Sequence, residues 1–224
     1  MSQQSGRTPL LLIGGGGHCA SVIDVIESMP DYEVAGIVEA PGNTQQEFMG
    51  YPILGTDDDL KALIQKVPNC VITVGQLHSA DLRKKLYQQV KSLGGQLPVI
   101  ISPLARVARQ AKIASGTVVM HYALVNNLAQ IGENCIINNY ALIEHGSTIG
   151  AHCHIATRAT VNGDCQIGHG CLIGSNATLI QGVTITAESV LGAGSLVIKS
   201  LLKKGVYTGS PVQKKLKSNN VKDA

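Results

Sequence analysis

From Val107 to Val197 an aliphatic residue stands at every sixth position without a break in phase. The series runs 107, 113, 119, 125, 131, 137, 143, 149, 155, 161, 167, 173, 179, 185, 191 and 197, and all sixteen are Ile, Val or Leu. Four residues after each aliphatic comes a compact one, as at Ala111, Thr117, Ala123, Ala129, Cys135, Ala141, Ser147, Cys153, Ala159, Cys165, Cys171 and Ala177. Gly often follows the aliphatic directly, in "IGENC", "IGAHC", "IGHGC" and "LGAGS". A period of six with this grammar is the signature of a parallel β-helix. Three hexapeptides make one triangular coil, so sixteen repeats predict about five coils. At roughly 4.8 Å between stacked strands the prism is about 25 Å tall.

Before this region the rhythm differs. "PLLLIG" predicts a buried strand, and His18 to Met29 an amphipathic helix. "YEVAGIVE" reads as a strand, "DDDLKALIQKV" as a helix, "CVITVG" as a strand, "SADLRKKLYQQVKSLG" as a longer helix, and "LPVIIS" as the closing strand. Strands alternating with helices predict a parallel, Rossmann-like α/β sheet. Asp57 to Asp59 fall in the first turn of their helix, where acidic side chains complement the dipole. The chain thus divides into an α/β domain over 1–101 and a β-helix over 102–224.

Composition narrows the function. Aromatics are 3% of the 224 residues, with no Trp, so the interior must be filled by aliphatics and alanine. A net charge of +3 gives no nucleic-acid footprint. Of the lysines, Lys203, Lys204, Lys214, Lys215 and Lys217 lie near the end and predict a solvated tail. No apolar run reaches the roughly 20 residues that span a bilayer, and glycines interrupt the only candidate leader. The expectation is a cytoplasmic protein, with no membrane partner, whose six cysteines are reduced.

The repeat phase sorts the histidines and cysteines of "NNYALIEHGSTIGAHCHIATRATVNGDCQIG". Cys135, Cys153, Cys165 and Cys171 occupy the inward small position and predict core filling rather than reactivity. His145, His152 and His154 point outward, away from Cys153, so no metal site is expected. His121 and His169 share the slot of His145, two after an aliphatic, so spacing alone gives that residue no role. At the other end, "LLIGGGGHCASVIDVI" places Gly15, Gly16 and Gly17 between a strand and a helix, with Glu39 at the end of the next strand. Such a turn offers backbone N–H groups and a helix N-terminus to a phosphate. The alternative is tight packing alone. His18 suits either a ligand contact or a helix cap.

Taken in order, "IGGGGH", "TVG" before "LRKKL", "ISPLA", "ALIEHGSTIGAHCHI", "LGAGSLVIKS" and "GVYTGSPVQ" resemble the bacterial sugar acyltransferases grouped with the sialic acid O-acetyltransferases. Within that family they are similar to the N-acetyltransferases of nucleotide-linked 4-amino sugars. The resemblance spans essentially the whole chain. It implies a left-handed β-helix, against the usual crossover hand, and a homotrimer in which acetyl-CoA lies between neighbouring prisms. It implies acetyl transfer to a sugar amine, with the nucleotide-sugar, UDP-linked, held by Gly15, Gly16, Gly17, His18, Glu39 and Gly75. His145 would be the general base, with Glu144 beside it and Asn138 lining the site. His154, Gly174 and Gly192 would contact acetyl-CoA.

The residue types suit that chemistry: an imidazole with a pKa of about 6.5 can take a proton from a sugar ammonium near neutrality. An amide or backbone N–H can stabilise the oxyanion, and two substrates held together need neither covalent intermediate nor metal. The chain departs from the family pattern at Gly146, where relatives carry an acid after the histidine. It departs again at "GIVEA", which keeps Glu39 where relatives have paired aspartates. His145 and His154 are half a coil apart, so one site can use both only across a subunit boundary. The alternatives are O-acetylation of a sialic-acid-like sugar and a noncatalytic nucleotide-sugar-binding scaffold.

Overall fold

The computed structural model describes residues 6–215. The N-terminal part is a five-stranded sheet built from β1 (Thr8–Ile13), β2 (Tyr32–Glu39), β3 (Glu47–Phe48), β4 (Tyr51–Thr56) and β5 (Cys70–Ile72). Its order is β3-β4-β2-β1-β5, parallel except for the β3–β4 hairpin. That hairpin is absent from the sequence expectation, because Met49 and Gly50 form its turn without any alternating apolar run to announce it. Three helices, α1 (Gly17–Glu27), α2 (Leu60–Lys66) and α3 (Asp81–Ser92), cover the sheet. The acidic run Asp57–Asp59 forms a short 3-10 turn ahead of α2, and Thr56 and Asp59 close a capping box around it.

The pleat of β1 separates two cores. Leu10 and Leu12 face α1, while Leu11 and Ile13 face α2 and α3. The first of these cores also takes in Ile100, Val118 and Met120, so apolar packing welds the α/β part to the prism. "LPVIIS" does not close the N-terminal sheet. Ile100–Ile101, β6, pairs with Val118–Val119 and starts one wall of the prism. Gln96 reaches the α/β sheet only as an isolated bridge to Asn69.

From β7 (Arg106–Val107) to β22 (Leu196–Val197) sixteen two-residue strands follow, each ending on one of the sixteen aliphatics. They stack into three parallel sheets, the walls of a left-handed β-helix. The aliphatics and the compact residues together form one continuous core, in which Cys135, Cys153, Cys165 and Cys171 are fully buried. Burial of each aliphatic contributes about 2 kcal/mol. All six cysteines are free, and burial pushes Cys19 up to about 11 and Cys70 up to about 12.

The compact slot has a second requirement. Cys135, Cys153, Cys165 and Cys171 donate S–H bonds to the carbonyls of Gly150, Gly168, Ile180 and Thr186, at 3.1–3.2 Å. Thr117 and Ser147 make the equivalent O–H bonds to Gly132 and Asn162. Cysteine, serine and threonine are therefore interchangeable in kind: each is small and each satisfies a corner carbonyl. Just before the compact slot the backbone turns through positive φ, at residues as varied as Tyr122, Asn134, Tyr140, Gly146, His152, Arg158 and Asp164.

The end of the chain is not simply a solvated tail. Lys204 pairs with Glu188, and Lys214 lies in β24 (Gln213–Lys214), antiparallel to β23 (Val206–Thr208) on the last coil. Lys217 lies outside the described residues. No helix among the described residues is long and apolar enough to cross a membrane.

Candidate active site

The glycine turn after β1 opens a cleft of about 200 Å³. Gly15, Gly16, Gly17, His18, Glu39 and Gly75 all line it, and they are joined by Asp57 and Thr73. The glycines are not equivalent. Gly14, at φ +102°, lies so close to Val74 that a Cβ would sit 2.4 Å from its side chain. A Cβ on Gly15 would meet the Glu39 carboxylate at 2.0 Å, so that acid already packs over the turn. Gly16 and Gly17 have nothing above them. Gly16 is the N-cap of α1, with no side-chain cap and no acid in the first turn. This leaves a helix N-terminus whose N–H groups and partial positive charge face open space, the arrangement an anion uses. Ligand pockets are typically about 300–1,000 Å³, so a nucleotide-sugar seated here must extend beyond the cleft.

His18 does not cap the helix. Its Nε2 is buried without a partner, and burial, together with Arg83 and His154, pulls its pKa down to about 3 from 6.5. An unfolded chain takes up that proton near 6.5, the folded chain only near 3. Between those values the unfolded state binds more protons, so stability falls as the solution is acidified. Thermal melts followed by circular dichroism are expected to show a lower midpoint at about pH 5 than at about pH 7. The drop should shrink in His18→Asn; an unchanged drop would remove His18 as its source.

Behind His18 lies the junction of the two parts. His154 points away from the prism core, as its phase requires, yet it is only 8% exposed because the loop after β5 covers it. Its Nδ1 donates to the Gln76 carbonyl at 2.9 Å, which leaves Nε2 to accept from the Asn138 amide at 3.1 Å. Burial keeps this ring neutral by lowering its pKa. Both ring nitrogens are thus committed within the chain, and so is the Asn138 amide, whose Oδ1 accepts from Asn139. His152 is not a free surface residue either. It is half-buried, accepts from Asn134 at 3.0 Å and meets the Tyr87 ring edge-on.

His145 stands elsewhere. It sits at the corner between β13 (Leu142–Ile143) and β14 (Thr148–Ile149), opposite the wall that carries β15 (His154–Ile155). It is exposed, and no hydrogen bond reaches its ring among the described residues. Glu144 is turned away from that ring: its carboxylate accepts from the Asn126 amide at 2.7 Å and from the His145 N–H at 3.3 Å. One chain therefore assembles Asn138 with His154 and leaves His145 apart from both.

Gly174 and Gly192 have a packing explanation. A Cβ on Gly174 would strike the backbone of the next coil at 2.6 Å, and one on Gly192 would strike Thr208 at 2.6 Å. Gly174 is also buried, so within one chain it offers no surface to a ligand. Asp57, Gln76 and Arg83 are not marked as site residues by the sequence pattern; of the three only Asp57 is singled out there, as an acid in the first turn of its helix. A cation placed in phase with Leu86, Tyr87 and Val90 was the available signal for Arg83.

Comparison with known proteins agrees with this architecture. Residues 9–90 match the model of the PglD N-terminal domain. Residues 129–163 and 164–199 match that of the bacterial transferase hexapeptide (six repeats). The acetyltransferase domain of PglB from Neisseria gonorrhoeae FA1090 superposes with a TM-score of 0.86 at 28% identity, covering 93% of this chain and 100% of that one. The same domain has been solved with acetyl coenzyme A. PerB from Caulobacter crescentus, solved with CoA and GDP-perosamine, gives 0.86 at 29% identity, over 92% of this chain and 97% of that one. No curated protein matches the chain. The fold and these matches make the chain an acetyltransferase of the hexapeptide-repeat class. More particularly, it joins a stretch that matches the PglD N-terminal domain, residues 9–90, to hexapeptide repeats over 129–199.

Proposed function

We propose that the protein transfers the acetyl group of acetyl-CoA to the 4-amino group of a nucleotide-linked sugar, with UDP as the carrier. The observation that carries this reading is the uncapped N-terminus of α1 opening into the glycine cleft, on a chain whose prism also exposes an unpartnered imidazole. The solved relatives with CoA, acetyl coenzyme A and GDP-perosamine support acetyl transfer to a nucleotide-linked amino sugar.

The amine arrives as an ammonium and must lose a proton. His145 takes it; the nitrogen attacks the thioester carbonyl, the C–S bond breaks, and CoA leaves as the thiol, carrying the second N–H proton, while the amide forms. Transfer is direct. Because His145 lies across the prism from the cleft wall, the working unit is a homotrimer in which His145 of one protomer faces the cleft of the next. Gln76, Asn138 and His154 brace that wall, and the acyl donor runs along it. With six free, buried cysteines, the protein suits a reducing cytoplasm and a step in glycan assembly.

A thiol-release assay with acetyl-CoA tests the assignment against UDP- and GDP-linked 4-amino sugars and free sialic acids. Release is expected with a UDP-linked 4-amino sugar. Release with sialic acid alone would replace N-acetylation by O-acetylation. Binding of the nucleotide-sugars without any release would leave a scaffold.

A further inference from the structure

The corner that carries His145 is a column of stacked turns. Asn127, Gly163 and Gln181 repeat its position in neighbouring coils, and Leu128, Asp164 and Gly182 repeat that of Gly146. Within this column two side chains lean toward each other's coil. The His145 ring lies over Gly163, where a Cβ would fall 2.6 Å from its Cε1 and 2.8 Å from its Nε2. Asp164 leans back over Gly146, where a Cβ would fall 2.2 Å from its Oδ1. Each glycine clears the space that the other residue's side chain occupies. The imidazole and the carboxylate therefore pass each other between the same two coils, anchored by the Asp164 N–H donating to the His145 carbonyl at 2.9 Å.

The other groups at this corner leave the pairing open. Glu144 is spent on Asn126 and its own turn. The one side chain bonded to Asp164 is Gln181, whose amide donates to Oδ2 at 3.4 Å, so Oδ1 has no partner among the described residues. Lys199 stands two coils beyond Gly163 in the same column. Glu144 and Asp164 are thus the two charged groups beside the ring, and only Asp164 has an oxygen to give.

We propose that Asp164, reaching across from the next coil, is the positioning residue for His145. Its carboxylate receives one ring N–H, fixes the tautomer that presents the other nitrogen to the substrate amine, and stabilises the imidazolium formed when the proton is taken. The carboxylate itself gains no proton. This rests on His145 being the base, but its test does not depend on turnover alone.

The ring-nitrogen signals of the full-length protein report the His145 tautomer by NMR, with His145 assigned by the peaks lost in His145→Ala. Asp164→Asn is expected to release that tautomer, seen as a convergence of the two ring-nitrogen shifts, because the hydrogen bond at one nitrogen decides which of the two carries the proton. With acetyl-CoA and the acceptor identified by thiol release, the same variant should lose about tenfold or more in kcat, with KM for acetyl-CoA unchanged. In Gly146→Asp/Asp164→Gly the carboxylate is handed to the other coil without a clash, at positions that share a left-handed turn, so kcat should recover. An unmoved tautomer balance and a kcat within about twofold would overturn the role of Asp164. A fully active His145→Ala would instead overturn the base itself, whatever Asp164 does.

Discussion

His145→Ala should reduce kcat by about 10²–10⁴-fold, the range that a positioned general base contributes, while binding of nucleotide-sugar and acetyl-CoA is retained. The side chain is exposed and contributes no hydrogen bond to the fold, so stability should stay within about 0.5 kcal/mol of the parent's, as for surface substitutions generally. Steady-state kinetics with isothermal titration of each substrate separates the two effects. A kcat within about tenfold of the parent would show that the amine loses its proton elsewhere. The same variant tests the shared site. His145 and the wall braced by His154 lie on opposite sides of one prism, so a chain lacking the first can still lend the second to its neighbour. Mixing His145→Ala chains with His154→Ala chains should therefore restore part of the activity in mixed assemblies. No recovery would place the whole site within one chain.

The repeat was legible because its constraint is local and recurs. Each aliphatic meets the one eighteen residues on, as Ile143 meets Val161, so phase alone separates inside from outside, and the buried Cys153 from its outward neighbours. The glycine turn was legible for the same reason: a strand, a turn without side chains and a helix follow one another directly. What phase could not convey is that one outward wall would be covered. His154 faces away from the prism core but lies under the loop holding Gln76, and Ile100 leaves the α/β series for a prism wall. Both depend on how the two parts dock, which is a matter of contacts between residues far apart in sequence. Asp164 was hidden differently. A carboxylate one coil away is eighteen residues from Gly146, and only the stacked corner makes them neighbours.

Arg83 holds that docking together, and its removal should be the most damaging single change to the fold outside the aliphatic core. The guanidinium is 1% exposed and donates to the carbonyls of Ile72 and Val74 at the end of β5, and to the Asn134 carbonyl and Oδ1 on the prism. No carboxylate pairs with it among the described residues, and burial lowers its pKa to about 10, so it remains charged at neutral pH. Burying a charge in this way is costly. Arg83→Met removes that cost while keeping most of the volume, but it leaves three carbonyls and an amide oxygen dry. At about 1–3 kcal/mol for each unsatisfied group, the losses exceed the relief. A net destabilisation of about 3 kcal/mol would lower the midpoint by roughly 6–12 °C for a chain of this size. The damage should also reach the ligand: Thr73, the residue after β5, donates its hydroxyl to the Gly14 carbonyl at 2.6 Å, so loosening this segment loosens one wall of the cleft. KM for the nucleotide-sugar should rise more than kcat falls, because His145 on the far corner is untouched. Arg83→Lys keeps the charge with donors too compact to reach both β5 and Asn134, and should behave like Arg83→Met. Melting and kinetics of the two variants decide the matter: a lysine that restores stability would mean that charge, and not the span of the guanidinium between the two parts, is what this position supplies.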